Sequence, residues 1–385
     1  MTMKLHKWQN EALNEVFDKK KIIIEVATGA GKTFFTVEFL KRINKKNYKT
    51  LIVSPKLVIL DNWDKELKKY FSFTDIGYYY SEIKEYAKIT LTTTKSINNI
   101  NLDVFDILII DEIHNCFTPS WHNIYKKKWK YMIGLSATIK KDNHKHWKFL
   151  KYFGYNVYSY NIEKAINDGI LSKFILRNYY VLLDPKTKDN YDYLTEKINN
   201  IIRIAGDYYS ALNNPKYKLS LLKYLNLRKK IIYHYKKKYD VLKKVIKQHL
   251  NNKIIIFNES NEVAMGIYLE MLDLDINARV ANSNYTKAEI NQILSDFEKG
   301  KFNVLITTRM FDEGYNLPSL DVAIIFSGES SDRQFIQRLG RVLRKKNTDA
   351  YVYQIYVKDT MEEDYVKKRN ELMKNTASKI QTEQY

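Results

Sequence analysis

The stretch KIIIEVATGAGKT, residues 21–33, joins a short apolar run to a glycine-rich turn. The run KIIIEV has the length and composition of a strand buried on both faces of a sheet. Beyond the turn, apolar side chains recur at helical spacing, at Phe35, Phe39, Leu40 and Ile43. Strand, glycine turn and helix in this order open a βαβ unit, so the stretch predicts a parallel sheet.

Similar apolar runs, separated by amphipathic segments, extend this pattern over both halves of the chain. They lie at residues 50–53, 105–110 and 131–135 in the first half and at 253–257, 303–306, 321–326 and 351–357 in the second. The segment 186–250 carries long amphipathic helical patterns instead. We therefore expect an α/β protein with two parallel-sheet lobes, 1–172 and 173–385, and a mainly helical insertion at 186–250, ahead of the second lobe's main sheet. Polar residues after Lys374 predict a frayed tail.

Composition limits the class of protein. The chain of 385 residues has 64 Lys and Arg against 44 Asp and Glu, a formal net charge of +20. Such an excess favours a polyanionic partner such as nucleic acid, although AT-rich coding sequence would also enrich Lys, Asn, Ile and Tyr. No apolar run approaches the roughly 20 residues that span a bilayer, and the polar N-terminus does not resemble a signal peptide. We expect a protein of the host cytoplasm without membrane attachment. The single cysteine, Cys116, excludes an internal disulfide framework and a Cys-rich zinc site.

The glycine turn has the chemistry of a phosphate-binding loop. Phosphates need backbone N–H donors, and Gly29 and Gly31 let the chain wrap closely while the next helix presents its positive end. Lys32 would neutralise the β- and γ-phosphates of ATP, and the Thr33 hydroxyl would bind Mg²⁺. The residues predicted to bind ATP here are Thr28, Gly29, Ala30, Gly31, Lys32 and Thr33. The alternative is a turn that joins strand to helix and binds nothing.

The sequence DEIH at 111–114 follows the apolar run ILII. A carboxylate at the carboxyl end of a buried parallel strand faces the same edge of the sheet as the phosphate loop. Asp111 would hold Mg²⁺, and Glu112 would polarise the attacking water as general base. His114 has no Cys or His neighbours at ligand spacing, so we expect it to couple the γ-phosphate site to the other lobe or to nucleic acid. The alternative is that these acids merely cap the turn after the strand.

The sequence QRLGRVLR at 337–344 spaces three arginines three residues apart, on one helical face. Phosphoryl transfer builds negative charge that arginines from a neighbouring lobe stabilise. Arg341 and Arg344 are therefore candidate catalytic residues, and Arg338 is a weaker one. The alternative is a solvated basic face.

With these three motifs in this order, the chain resembles a superfamily 2 helicase or translocase, closest in pattern to the XPB-, UvsW- and RadD-type DNA helicases. Val26 stands at the first glycine position of the generic phosphate loop, a departure typical of this superfamily. Further segments carry the resemblance: LHKWQNEAL, VSPKLVILDNW, LTTTKSI, SAT, AINDGILSKF, IIIFNES and TTRMFDEGYNLP. It implies two tandem RecA-like lobes, with ATP and Mg²⁺ as cofactors.

The resemblance also implies roles for single residues. Gln9 would contact adenine, and the turn containing Asp312 and Gly314 would face ATP. Arg341 and Arg344 inherit the arginine-finger role. The residues implied to couple hydrolysis to movement are His114, Ser136, Thr138 and Gln337. The residues implied to contact the nucleic-acid backbone are Pro55, Thr93, Lys95 and Thr307.

Two departures from the family pattern are visible, Asn316 in place of Asp in G-x-D-x-P and His6 in place of Arg beside the adenine-reading Gln9. Because Gln9 lies so near the start, we expect no substrate-recognition domain before the motor. A preference for branched substrates would then come from the lobes, the insertion or a separate partner.

The function implied is an ATP-dependent DNA helicase or translocase that unwinds or remodels branched DNA in repair or recombination, acting as a monomer. The family suggests movement in the 3′-to-5′ direction. An RNA helicase remains an alternative, because DEIH differs by one residue from the DEAH of many RNA enzymes. A second alternative is the motor subunit of a restriction or defence assembly, or a nucleotide-gated clamp, that does not unwind alone. A phage or viral origin is compatible with all three.

Overall fold

The computed structural model describes residues 5–137, 139, 144–308, 317, 320–328, 339–340, 343 and 350–385. The chain forms two compact units. The first holds the described residues of Met1–Ser172 together with Leu317, Leu339, Gly340 and Leu343. The second holds the described residues of 173–310, with 320–328 and 350–385. Each unit contains one sheet, which confirms the predicted α/β class with two parallel-sheet lobes.

The first unit contains an almost entirely parallel sheet. Its described strands are β1 (Lys21–Val26), β2 (Thr50–Ser54), β3 (Ile76–Tyr80), β4 (Ile83–Lys84), β5 (Ile89–Thr93), β6 (Ile107–Ile110), β7 (Tyr131–Ser136) and β8 (Val157–Tyr160). They lie in the order β4-β3-β5-β2-β6-β7-β1-β8, and the pairing of β3 with β4 is antiparallel. β2, β6 and β7 are buried along their whole length, which explains why they appear in the sequence as continuous apolar runs.

Helices of the first unit cover its sheet. They are α1 (Lys7–Lys19), α2 (Lys32–Ile43), α3 (Leu57–Leu67), α4 (His122–Lys126), α5 (His144–Leu150) and α6 (Ile162–Asn167). Both α2 and α3 bury an apolar face, as the helical spacing of their large side chains predicts. A 3₁₀ turn at Ile113–Cys116 follows β6, and its Ile113 is fully buried.

The second unit contains a fully parallel sheet. Its described strands are β9 (Phe174–Val181), β10 (Ile254–Phe257), β11 (Ala278–Ala281), β12 (Val304–Thr307), β13 (Val322–Ile325), β14 (Ala350–Val357) and β15 (Lys379–Gln384). Their order is β11-β12-β10-β13-β14-β9-β15. The strand β9, at one side, is separated in sequence from β10 by more than seventy residues of helix and turn.

That intervening segment confirms the helical insertion. It contains α7 (Pro185–Ala205), α8 (Tyr208–Asn213), α9 (Pro215–Tyr233) and α10 (Lys236–Lys247). Capping side chains of Asp184, Asp207 and Asn214 set the starts of α7, α8 and α9. The three helices share a small core of their own around Ile198 and Leu221. The remaining helices are α11 (Asn261–Asp273), α12 (Lys287–Glu298) and α13 (Met361–Met373).

Two expectations were wrong in the second unit. The tail predicted to fray forms β15, which pairs with β9 from Lys379 opposite Ile175 onward. Its polar side chains give no apolar periodicity, because an edge strand is held mainly through its backbone. The run of three lysines at 236–238 is by default a solvated face, but its last member, Lys238, is fully buried and paired with Glu362.

None of the helices within the described ranges is both long enough and apolar enough to cross a membrane.

Candidate nucleotide site

The phosphate loop lies at the carboxyl end of β1, where the chain turns into α2. Gly29 and Gly31 have backbone φ angles of 87° and 99°, which residues other than glycine rarely adopt. The helix begins at Lys32 directly after Gly31, so the first helical N–H groups and the positive helix end lie at the loop. Lys32 and Thr33 are both partly exposed there.

Three observations fit a bound phosphate group. The Thr28 hydroxyl oxygen is buried and has no hydrogen-bond partner among the described residues. A Cβ at Gly31 would lie 3.0 Å from the Gln9 amide nitrogen, so the glycine lets the Gln9 side chain approach the loop closely. Thr36 donates its hydroxyl proton to the Lys32 carbonyl at 3.1 Å, so this hydroxyl is occupied within α2 and the N–H groups of the first turn stay available. The loop therefore has polar groups available for a ligand, as a phosphate site requires.

Gln9 packs against this loop. Its side chain is 1% exposed, its Nε2 donates to the Gly31 carbonyl at 3.2 Å, and its Oε1 accepts from the His6 N–H at 2.9 Å. Trp8 anchors the same helix by stacking on Tyr160, with ring centroids 5.3 Å apart. Burial, together with a hydrogen bond to Asp168, raises the pKa of Tyr160 above its ordinary value. Gln9 thus contacts the loop, and its predicted contact with adenine stays a prediction.

Asp111 follows β6, and its carboxylate is held by two donors. The Trp63 indole N–H donates to Oδ2 at 2.9 Å, and the Glu112 backbone N–H donates to Oδ1 at 3.0 Å. Each oxygen keeps a second lone pair that can bind a cation or its water. Because β6 and β1 run parallel in one sheet with only β7 between them, Asp111 and the phosphate loop lie at the same edge.

Glu112 has a left-handed backbone, with φ 49° and ψ 50°, which is uncommon for a residue other than glycine. This conformation costs about 1–3 kcal/mol and persists where the surroundings enforce it, often at functional sites. One Glu112 carboxylate oxygen lies 3.5 Å from His114 Nδ1, and that nitrogen lies 3.0 Å from the Ser136 hydroxyl. The structure therefore brings DEIH and SAT into contact through His114 and Ser136.

Residues predicted to contact nucleic acid lie at strand ends. Pro55 follows β2, and Thr93 ends β5, the neighbouring strand, so both lie at the carboxyl edge of the first sheet. The Thr93 hydroxyl is bonded to Ser96 at 3.0 Å, and Lys95 is exposed beside it. Thr307 ends β12 in the second unit and is buried. Their contacts with a nucleic acid stay predictions.

Several predicted site residues lie outside the described residues, namely Thr138, Asp312, Gly314, Gln337, Arg341 and Arg344, together with Arg338 and Asn316. Gly340 of the stretch QRLGRVLR is described and belongs to the first unit. Its backbone packs on Thr28, so that a Cβ at Gly340 would collide with the Thr28 carbonyl oxygen. A glycine of the third motif therefore lies directly against the phosphate loop.

Two residues of this region were not identified from the sequence. Trp63 lies within the quoted stretch VSPKLVILDNW, but no local pattern indicates that its indole reaches Asp111. Glu25 interrupts the apolar run KIIIEV, and an acid placed between buried apolar residues of a strand is the signal that was available.

Family models and known proteins match most of the chain. A family model described as "Type III restriction enzyme, res subunit" matches residues 2–141, and one described as "Helicase conserved C-terminal domain" matches residues 237–346. The "DNA 3'-5' translocase XPB2" of Sulfurisphaera tokodaii is 28% identical over 96% of this chain and 85% of that protein. The "DNA 3'-5' helicase XPB" of Kineococcus radiotolerans is 24% identical over 96% of this chain and 62% of its own length.

Among solved structures, the helicase domain of Hef from Pyrococcus furiosus has the same fold. It superposes with a TM-score of 0.66 at 18% identity, covering 94% of this chain and 97% of that one. The likeness supports two tandem RecA-like lobes.

Proposed function

Because the chain belongs to superfamily 2 of the helicases and translocases, we propose that it is an ATP-dependent DNA motor of the XPB branch. It would couple ATP hydrolysis to movement along DNA and to unwinding or remodelling of branched DNA, travelling 3′ to 5′. The observation that carries the proposal is the placement of the phosphate loop and the Asp111–Glu112 pair at one edge of one sheet. Relatives named as DNA translocase and DNA helicase match almost the whole chain.

The residues present fit the chemistry of ATP hydrolysis. Bound ATP with Mg²⁺ supplies the phosphoanhydride bond and a cation that offsets phosphate charge. Lys32 and the N–H groups of the loop would bind phosphate, Thr33 and Asp111 would hold the cation, and Glu112 would take a proton from the attacking water. Trp63 keeps the Asp111 carboxylate in one orientation.

Residues of QRLGRVLR would complete the site. We assign Arg341 and Arg344 to stabilising the charge that develops on the γ-phosphate, Gln337 to coupling, and Asp312 and Gly314 to contact with ATP. The packing of Gly340 against Thr28 supports this assignment, because Arg341 is the next residue along the chain.

The contacts from His114 to Ser136 provide a route from hydrolysis to the nucleic acid. Hydrolysis of the γ-phosphate would shift Glu112 and His114. Because His114 contacts Ser136, this shift would displace the SAT segment. Pro55, Thr93, Lys95 and Thr307 would hold the strand by its backbone, so binding should tolerate any sequence. We propose that the chain acts as a monomer in the cytoplasm, with targeting to repair substrates left to a separate protein.

The experiment that tests this function measures ATP turnover and strand separation with single-stranded, duplex, forked and RNA substrates. We expect stimulation by DNA and separation of forked duplexes. Lys32→Ala should abolish ATP binding, whereas Glu112→Gln should keep it and lower turnover by about a hundredfold or more. Stimulation by RNA alone would contradict the DNA assignment, and full turnover in Glu112→Gln would remove it as the base.

A second candidate is a motor subunit of a restriction or defence assembly that moves along DNA without unwinding it. The description of the family model over residues 2–141 favours it. DNA-stimulated turnover together with displacement of a bound protein block, but no strand separation on any fork, would support this candidate over the first.

A further inference from the structure

Glu25 is a partly buried acid near the carboxyl end of β1. Its neighbours Ile24 and Val26 on β1 are fully buried, and the strand otherwise reads as an apolar run. Placing a carboxylate here carries a desolvation cost that an isoleucine would avoid, so hydrogen bonds must compensate for it.

The Glu25 carboxylate joins three segments of the first unit. In register, Glu25 lies between Ser136 of β7 and Ser159 of β8. Its Oε2 accepts a hydrogen bond from the Ser159 hydroxyl at 2.6 Å, and its Oε1 accepts one from the Ile139 backbone N–H at 2.6 Å. Ile139 is the residue directly after the SAT segment at 136–138. The carboxylate therefore ties the backbone that leaves SAT to the strand that leads into the phosphate loop.

The other end of SAT is tied to the hydrolytic residues, since Ser136 contacts His114 and His114 lies near Glu112. Ser136, the first residue of SAT, thus contacts the DEIH segment, and Ile139, the residue after SAT, is bonded to Glu25. We propose that Glu25 is a positioning residue that anchors SAT, so that nucleic acid bound to the protein can accelerate ATP turnover. The inference rests on the proposed motor function, in which nucleic acid stimulates the ATPase.

Loss of the Glu25 carboxylate should reduce the stimulation of ATP turnover by nucleic acid and leave ATP binding unchanged. Lys32 and Thr33 lie on α2, beyond the loop, and neither is a hydrogen-bond partner of Glu25 among the described contacts. Without the acceptor, the Ile139 N–H and the Ser159 hydroxyl lose their partner, and the backbone behind SAT can shift. A rate that depends on that geometry should fall about tenfold, as the loss of a hydrogen bond to a charged group can account for.

The test compares Glu25→Leu, Glu25→Gln and Ser159→Ala with the wild type. Leucine fills the space without an acceptor, and glutamine keeps one acceptor oxygen. Ser159→Ala removes a donor but leaves the bond to Ile139. We measure the affinity for a fluorescent ATP analogue, the basal and DNA-stimulated ATPase rates, the DNA concentration for half-maximal stimulation, and the melting temperature.

In Glu25→Leu we expect basal turnover and analogue affinity within about twofold of the wild type, and a DNA-stimulated kcat about tenfold lower at unchanged half-saturating DNA. Glu25→Gln should recover most of the stimulation, and Ser159→Ala should stay near the wild type. Full stimulation in a folded Glu25→Leu, or a parallel fall of basal rate, stimulated rate and melting temperature, would overturn the inference. A wild type that no nucleic acid stimulates would overturn the motor function itself, and this inference with it.

Discussion

The orientation of the Asp111 carboxylate depends on Trp63, a side chain 48 residues earlier in the chain. Trp63→Phe removes the indole donor and keeps an aromatic ring, with some loss of volume at a buried position. The magnesium concentration for half-maximal ATP turnover should then rise about tenfold or more, because a hydrogen bond to a charged group contributes about 1.5–3 kcal/mol and about 1.4 kcal/mol is a factor of ten. Titration of turnover against Mg²⁺ at saturating ATP measures the effect.

Trp129→Phe is the matched control for this change. The Trp129 indole is also buried and also donates a hydrogen bond, at 2.7 Å, but to the Ile124 carbonyl instead of a carboxylate. It should leave the magnesium dependence unchanged. An equal shift in both variants, or none in Trp63→Phe, would show that the indole does not set the Asp111 geometry.

Single residues of the site were predictable where a local pattern carries the chemistry. The glycines of the phosphate loop and the acids after ILII are of this kind, because strand, turn and charge lie next to one another in sequence. Two sets of hydrogen bonds were not predictable from the sequence. One joins Trp63 to Asp111, and the other joins Glu25 to Ile139 and Ser159. They join segments that meet only through the order of strands in the folded sheet.

At the scale of elements, a buried ion pair connects the insertion helix α10 to α13. Lys238 Nζ lies 2.7 Å from Glu362 Oε1, and Glu362 Oε2 accepts the Val357 N–H at 2.9 Å. Burial raises the pKa of Glu362, while the charges of Lys238 and Arg369 oppose that rise. Burial also lowers the pKa of Lys238. The pair fixes α10 against the end of β14.

We expect Lys238→Met to destabilise the protein by about 3–5 kcal/mol, because it leaves a buried carboxylate without its main partner. With the lysine gone, the folded-state pKa of Glu362 should rise further above its unfolded value, so the folded state binds the extra proton. The stability of the variant should therefore fall as the pH rises through that pKa, and its deficit should shrink at acidic pH. Urea unfolding at several pH values measures both effects.

Lys237→Met is the control for this prediction, because Lys237 is the adjacent residue and is exposed. It should change stability little at any pH. A Lys238→Met variant as stable as Lys237→Met would mean that the ion pair contributes nothing net, as some buried pairs do.

Elements were predictable in proportion to their burial. Strands such as β6 and β10 are buried on both faces and appear as unbroken apolar runs. The strand β15 has mostly exposed polar side chains and is held by the backbone of β9, so its residues carried no apolar signal. Lys238 shows the same limit, since a run of three lysines gives no indication that its last member faces a buried glutamate.

At the scale of the whole molecule, the net charge of +20 leads to a prediction about how DNA binds. A motor that holds its track by phosphates releases condensed counterions, so the logarithm of its affinity falls linearly with the logarithm of salt concentration. If about five phosphates of a single strand are neutralised, the slope should be about −3.5 or steeper. Fluorescence anisotropy with strands of unrelated sequence, measured from low to moderate salt, determines the slope.

Lys32→Ala separates this electrostatic property from the nucleotide site. In the absence of ATP, the dependence of its DNA affinity on salt should have the same slope as in the wild type. Lys32 lies at the phosphate loop and is not one of the residues assigned to contact the DNA strand. The affinity should also vary little between sequences, since phosphate contacts carry no base information. A shallow slope, or strong preference for one sequence, would mean that base contacts dominate. The excess of lysine would then reflect the coding composition of the gene instead of a track-binding surface.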